Sequence, residues 1–275
     1  MEIYTIEDIQ TDADKFKKFI EYLNKYKGSS LDNLYKKVRE KVPELNKYKE
    51  DDLKTCNTDK GKEGKYIEYC IFGNKPNSIS APDCPELNIE IKVTKFKTLK
   101  NGSYNAKERL TISNVGSTNN YETFRDLKDN ENIENTKFFK KMEKILLIVL
   151  NKENNTFLGG VFINYNELES SLKTQIIDDY NDIRNKIDTK SVSQKGQKYL
   201  HIHPHGTKKE DGIRAVGFKN PFITEIFAKQ MNYEIIKKGR SCYFNIPKKK
   251  NKLLLKLIKI NLINLQYNSK HKVHK

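Results

Sequence analysis

The chain has 275 residues, 36% hydrophobic and 32% charged, with 15 Tyr and 13 Phe. That is enough apolar surface for one large domain or two small ones, and it excludes collagen-like, linker and disordered classes. The 52 Lys and Arg against 36 Asp and Glu give a net charge of +16, and no acidic residue follows Glu234 while 12 basic ones do. Such a balance suits a polyanionic partner, nucleic acid first, or a solubilising surface in a Lys-rich and Asn-rich protein. The longest aliphatic run, Ile145 to Leu150, falls far short of the roughly 20 residues of a membrane span. The first residues, MEIYTIEDIQ, lack the basic start and apolar stretch of a secretion signal, so the expected location is the cytoplasm, with no membrane partner. Cys56, Cys70, Cys84 and Cys242 follow no CxxC spacing and are expected as reduced thiols.

Residues 13–27 place Phe16, Phe19, Ile20 and Leu23 at helical intervals, with Gly28 to close the helix. Ser29 or Ser30 can cap a second helix, LDNLYKKVREKV, which Pro43 ends. KGKEGKYIEYCIFG reads as a glycine-led turn into a short helix with Tyr66, Ile67, Cys70 and Ile71 inward and Glu68 on it. LNIEIKVTKFK alternates apolar and charged residues as a strand does. RLTISNV, KILLIVL and FLGGVFIN are three further strands, the middle one apolar enough to be buried on both faces, and one mixed sheet is expected to hold them all. Residues 166–187 read as a helix, 199–204 as a strand, 222–236 as a helix and 241–246 as a strand. The tail from Lys248 is basic and apolar at helical spacing, which suits a packed helix, an arm tracking DNA or a membrane-surface helix.

Pro82-Asp83 followed by Glu90-Ile91-Lys92 is the segment with chemistry in it. On a strand Glu90 and Lys92 share a face while Ile91 points to the core, and Asp83 lies just upstream. Two carboxylates so placed can hold a hard divalent cation, usually Mg²⁺, with water and a phosphate oxygen completing the shell. The cation offsets phosphodiester charge and acidifies a water, and the lysine orients that water or steadies the phosphorus. This is the PD-(D/E)xK arrangement of many nucleases. The triplet occurs five times, at Asp52, Glu63, Glu90, Asp126 and Asp188, but only at Glu90 does a PD lie close upstream of a strand pattern; a solvated strand face with alternating charges is the bland alternative.

The wider pattern resembles the MutH family, which includes the mismatch-repair nicking enzyme and type II restriction endonucleases that cut at GATC. Lys60-Gly61-Lys62-Glu63-Gly64 with Glu68 matches its KGxxG…E, and Asp83-Cys84-Pro85-Glu86-Leu87-Asn88 with Glu90-Ile91-Lys92 is similar to its DxPELGxExK, Asn88 standing for the glycine. Phe96 to Gly102 and Lys107-Glu108-Arg109-Leu110 look closer to the restriction branch, Lys144-Ile145-Leu146-Leu147 resembles a strand opened by a functional lysine, and the stretches 199–206 and 216–222 look like the late DNA-contacting segment. The resemblance covers roughly residues 28–236. It implies an α/β restriction-endonuclease-like fold, a mixed sheet flanked by helices with DNA in a cleft. It further implies that Glu68, Asp83 and Glu90 are metal-binding carboxylates, Lys92 the water-orienting or phosphate-stabilising group, and Lys144 a supporting cation.

Around this centre other residues have two readings. His201, His203 and His205 could ligate a metal, contact DNA or line a plain surface strand, and the resemblance favours DNA. Lys60 precedes glycines that would admit a phosphate, or merely starts a helix. Lys208, Lys209 and Arg214 either grip phosphates or decorate a surface; Phe218 and Lys219 belong to the expected recognition segment. The whole reads as one endonuclease domain over 1–247, catalytic over about 28–165 and recognising DNA over about 190–247, followed by the 248–275 tail. The expected activity is Mg²⁺-dependent type II restriction of double-stranded DNA, with GATC as the target the resemblance implies, a homodimer formed on DNA and a cognate methyltransferase encoded nearby. The alternatives are a repair-type nickase and a catalytically silent DNA-binding domain.

Overall fold

The computed structural model describes residues 3–49, 61–75, 81–116, 122–187, 196–204, 213–239 and 241–247. Thr5 opens the first helix, α1 (Ile6–Thr11), through a capping box with Asp8, and Asp12 caps α2 (Ala13–Leu23). Ser30 caps α3 (Leu31–Lys41), and Gly73, at φ 72°, ends α4 (Lys62–Phe72) in the left-handed conformation that glycine adopts without strain. Tyr66, Ile67, Cys70 and Ile71 all face inward from α4, as the spacing requires. Buried side chains of α1 to α4 form one core with Ile91, Leu146, Ile148 and Leu150.

Those last four residues lie on the central strands of a large sheet. Its order is β5 (Phe157–Asn164), β4 (Lys144–Asn151), β1 (Glu90–Thr98), β2 (Tyr104–Ala106), β9 (Ser241–Asn245), β8 (Glu234–Lys238). β1 and β4 run parallel, with Glu90 opposite Ile145, while the other pairs are antiparallel. β4 is buried on both faces because its side chains alternate between two cores: Leu146, Ile148 and Leu150 meet the N-terminal helices, and Ile145, Leu147 and Val149 meet the second half of the chain.

The second core lies between the large sheet, helices α5 (Phe124–Asp129), α6 (Lys137–Met142), α7 (Ser170–Lys186) and α8 (Asn220–Gln230), and a separate antiparallel sheet. That sheet contains β3 (Leu110–Val115), β7 (Arg214–Phe218) and β6 (Leu200–Pro204), in that order. Here the structure corrects one expectation, since RLTISNV leaves the mixed sheet to pair with β7. Gly217 makes the pairing possible: a Cβ there would sit 2.0 Å from the Leu110 carbonyl oxygen. A second correction concerns 222–236. The helix stops at Gln230, Asn232 takes a positive φ of 54°, and Glu234–Lys238 is an edge strand paired with β9. Among the described residues no helix is long and apolar enough to cross a membrane. Cys70, Cys84 and Cys242 are buried thiols outside any disulfide; Cys56 and the tail lie outside the described residues.

Candidate active site

Asp83 reaches the start of β1 through a tight loop. Cys84 and Ile89 exchange backbone hydrogen bonds of 2.9 and 3.1 Å across Pro85–Asn88. Asn88 closes this loop at φ 53° and ψ 43°, a left-handed geometry that asparagine tolerates better than other non-glycine residues. Asparagine in place of the family's glycine therefore preserves the turn, and its side-chain amide also donates to Glu143 at 2.8 Å. With the loop closed, Asp83 Oδ2 accepts the backbone N–H of Ile91 at 2.7 Å, which pins the aspartate against the strand that carries Glu90 and Lys92.

Glu90 is 2% exposed. Its Oε1 takes the Lys92 ammonium at 2.5 Å and that of Lys141 at 3.5 Å, whereas Oε2 is buried with no hydrogen-bond partner. Lys141 went unnoticed in the sequence, because the short helix α6 that delivers it carries no distinct periodic signal. Lys144, the expected supporting cation, begins β4 one residue before the partner of Glu90, and the cation that reaches Glu90 is Lys141 instead.

Burial first, then the negative charge of Asp83, pushes the Glu68 carboxyl up to about 7, with Lys92 opposing and Glu90 adding to the rise. The Asp83 carboxyl is likewise raised, by burial and then by Glu90. Two carboxyls raised by burial and by neighbouring negative charge, beside an acceptor oxygen of Glu90 left unsatisfied, form a site that favours added positive charge. Among the described residues, however, no three His, Cys, Asp or Glu side chains gather closely enough to hold a metal ion by themselves. The expected three-carboxylate cage is therefore not assembled. Asp83 and Glu90, with water, fit the way Mg²⁺ is commonly held, by one or two carboxylates, and their charges act on Glu68.

In front of this group opens a cavity of about 780 Å³ between the start of α4, β1 and the turn into β3. Glu68, Lys92, Lys95, Lys107 and Arg109 are among the residues that line it. Lys95 is paired with Glu63 at 2.6 Å and Lys107 with Glu108 at 2.6 Å.

The expected recognition residues divide. Lys60, His205, Lys208 and Lys209 lie outside the described residues. His203 is half-buried on β6, its ring stacked on that of His201 with centroids 5.5 Å apart, and Arg214 opens β7 opposite Pro204. Lys219 directs its ammonium to the Gln197 carbonyl. Phe218 is a correction: it is 1% exposed and stacks on Phe222 at 4.1 Å, because the alternation of β7 turns it into the second core rather than toward a ligand.

A family model described as the DNA mismatch repair enzyme MutH matches residues 72–186, a span that contains Asp83, Glu90, Lys92, Lys141 and Lys144. Over that span the chain is similar to MutH. Its mixed α/β sheet with helices on both faces accords with a restriction-endonuclease-like fold. Over 76 residues the chain is also 43% identical to the type II restriction enzyme Sau3AI of Staphylococcus aureus. That stretch takes in 28% of this chain and only 14% of the relative's length.

Proposed function

We propose that this MutH-like protein is a Mg²⁺-dependent endonuclease that hydrolyses double-stranded DNA at a short specific sequence, GATC, as a type II restriction enzyme. The observation that carries the reading is the meeting of Asp83, Glu90 and Lys92 at the start of β1, beside a cavity lined with basic side chains. In this reading Asp83 and Glu90 hold the cation. When bound, Mg²⁺ supplies positive charge toward the phosphodiester and a water of lowered pKa. Lys92, shared between Glu90 and the cavity, orients the attacking water or steadies charge on the phosphate, and Lys141 meets the same Oε1 of Glu90 so that the carboxylate keeps one orientation. Glu68 adds negative charge that favours cation uptake, and Lys144 serves as a further cation near the phosphate. His203 and Arg214, with His205, Lys208, Lys209 and Lys219, make up the basic recognition segment, and Lys60 contacts DNA from the glycine-led turn before α4.

One Asp83–Glu90–Lys92 centre per chain cuts one strand per encounter, so a double-strand break on a palindrome calls for two chains meeting on the site or for successive nicks. A cognate methyltransferase would protect the host's own sites. The test is a plasmid carrying one GATC, incubated with protein and Mg²⁺. Linear product that rises with second-order dependence on protein supports restriction by paired chains. Persistent nicked circles support the strand-nicking alternative, which the mismatch-repair description of the family model favours. A gel shift without cutting indicates a silent binding domain, and equal cutting of a plasmid lacking GATC overturns the specificity.

A further inference from the structure

Arg109 stands between the two sheets. It precedes β3, is exposed, and lines the same cavity as Lys92. Its Nη1 lies 2.8 Å from Nε2 of His201, a residue of β6 that is 4% exposed. A guanidinium has only donors, so Nε2 is the acceptor and the proton of the neutral ring sits on Nδ1. From there it donates to Gln197 Oε1 at 3.0 Å. The imidazole is kept neutral by its burial and then by the charges of Lys219, Arg109 and His203, which push its pKa down to about 3.

The choice of partner matters. A carboxylate would fix the guanidinium and cancel its charge, whereas a neutral imidazole fixes it and leaves the charge whole. No carboxylate among the described residues pairs with Arg109, while Lys92, Lys95 and Lys107 around the same cavity each have one. Arg109 thus combines full charge, a fixed origin and spare donors in the fork geometry that matches a phosphate.

We propose that Arg109 is a DNA-phosphate contact in the cavity that Lys92 also lines, with His201 as its positioning residue, so that the three-stranded sheet is tied to the catalytic cleft. The proposal rests on the endonuclease reading. It makes two kinds of demand, one on charge and one on placement, and they separate experimentally. Binding of a short GATC duplex is measured with Ca²⁺ in place of Mg²⁺ over a range of KCl. Arg109→Ala, an exposed change that leaves the core alone, is expected to weaken binding several-fold and to reduce the slope of log K against log salt by about one. His201→Leu keeps the charge of Arg109 but removes its acceptor, so the slope stays near wild type while affinity falls. His201→Gln, whose Oε1 can occupy the place of Nε2, restores that affinity.

A wild-type slope in Arg109→Ala overturns the proposal, and if the wild type still binds and cuts, the endonuclease reading survives. A His201→Leu protein that binds as tightly as wild type overturns the positioning role. A wild-type protein that binds no duplex at any salt concentration overturns both this proposal and the reading beneath it.

Discussion

Glu90 and Asp179 are both 2% exposed, and the protein treats them in opposite ways. Asp179, on α7, accepts the backbone N–H groups of Lys198, Tyr199 and Leu200 at 2.7, 2.6 and 2.8 Å, together with the side chain of Gln175 at 3.2 Å. It occupies the N–H groups at the head of β6 and ties that strand to the helix, so its burial is compensated. Glu90 has two lysines on one oxygen and nothing on the other, and Asp83 and Glu68 lie close enough to feel its charge. A carboxylate that serves the fold is saturated by fixed donors; one that serves chemistry keeps an oxygen open and tolerates repulsion, a cost that the rest of the fold must absorb.

The sharpest way to break this contrast is Asp83→Asn. The amide oxygen can still accept from Ile91, so thermal stability should hold or rise as repulsion is relieved, while cleavage rate falls by about a thousandfold or more because a metal ligand is lost. Retained cleavage in a plasmid assay would remove Asp83 from the site. Asp179→Ala should do the reverse, costing about 3 kcal/mol or more in urea unfolding by stranding three N–H groups, with activity per folded molecule little changed. An Asp179→Ala protein as stable as wild type would show that the three bonds carry no net weight.

A smaller effect is expected at Gly217, where an added methyl group meets the Leu110 carbonyl and forces β3 away from β7. Gly217→Ala should lower stability by about 1–3 kcal/mol, the range of overpacking changes. The last effect is one of pH. His201 titrates at about 3 when folded and near its ordinary 6.5 when unfolded. The unfolded chain therefore binds the extra proton between those values, and stability falls as pH drops below 6.5, by up to about 1.4 kcal/mol per pH unit from this group alone. His201→Gln should flatten that part of the stability profile, and an unchanged slope would mean that the imidazole is not held neutral.

Much of this was legible in the chain itself. Alternation around Glu90 predicted β1 and put Ile91 inside, the all-apolar run from Ile145 predicted a strand buried on both faces, and the PD and ExK pieces pointed to the segment where Asp83 bonds to the strand that carries Glu90 and Lys92. These features are local, because a period of two or a cap three residues away is written in neighbouring side chains. The parts decided by tertiary structure depend on contacts between distant segments. RLTISNV pairs with β7 rather than the mixed sheet because Gly217 clears the space against Leu110 more than a hundred positions earlier. Phe218 is core rather than ligand surface because α8 brings Phe222 onto its ring. Lys141 reaches Glu90 from a helix too short to announce itself, and Arg109 meets His201 across 92 positions. A sequence pattern specifies which face a residue takes on its own element; which partner waits on that face is settled only when the elements pack.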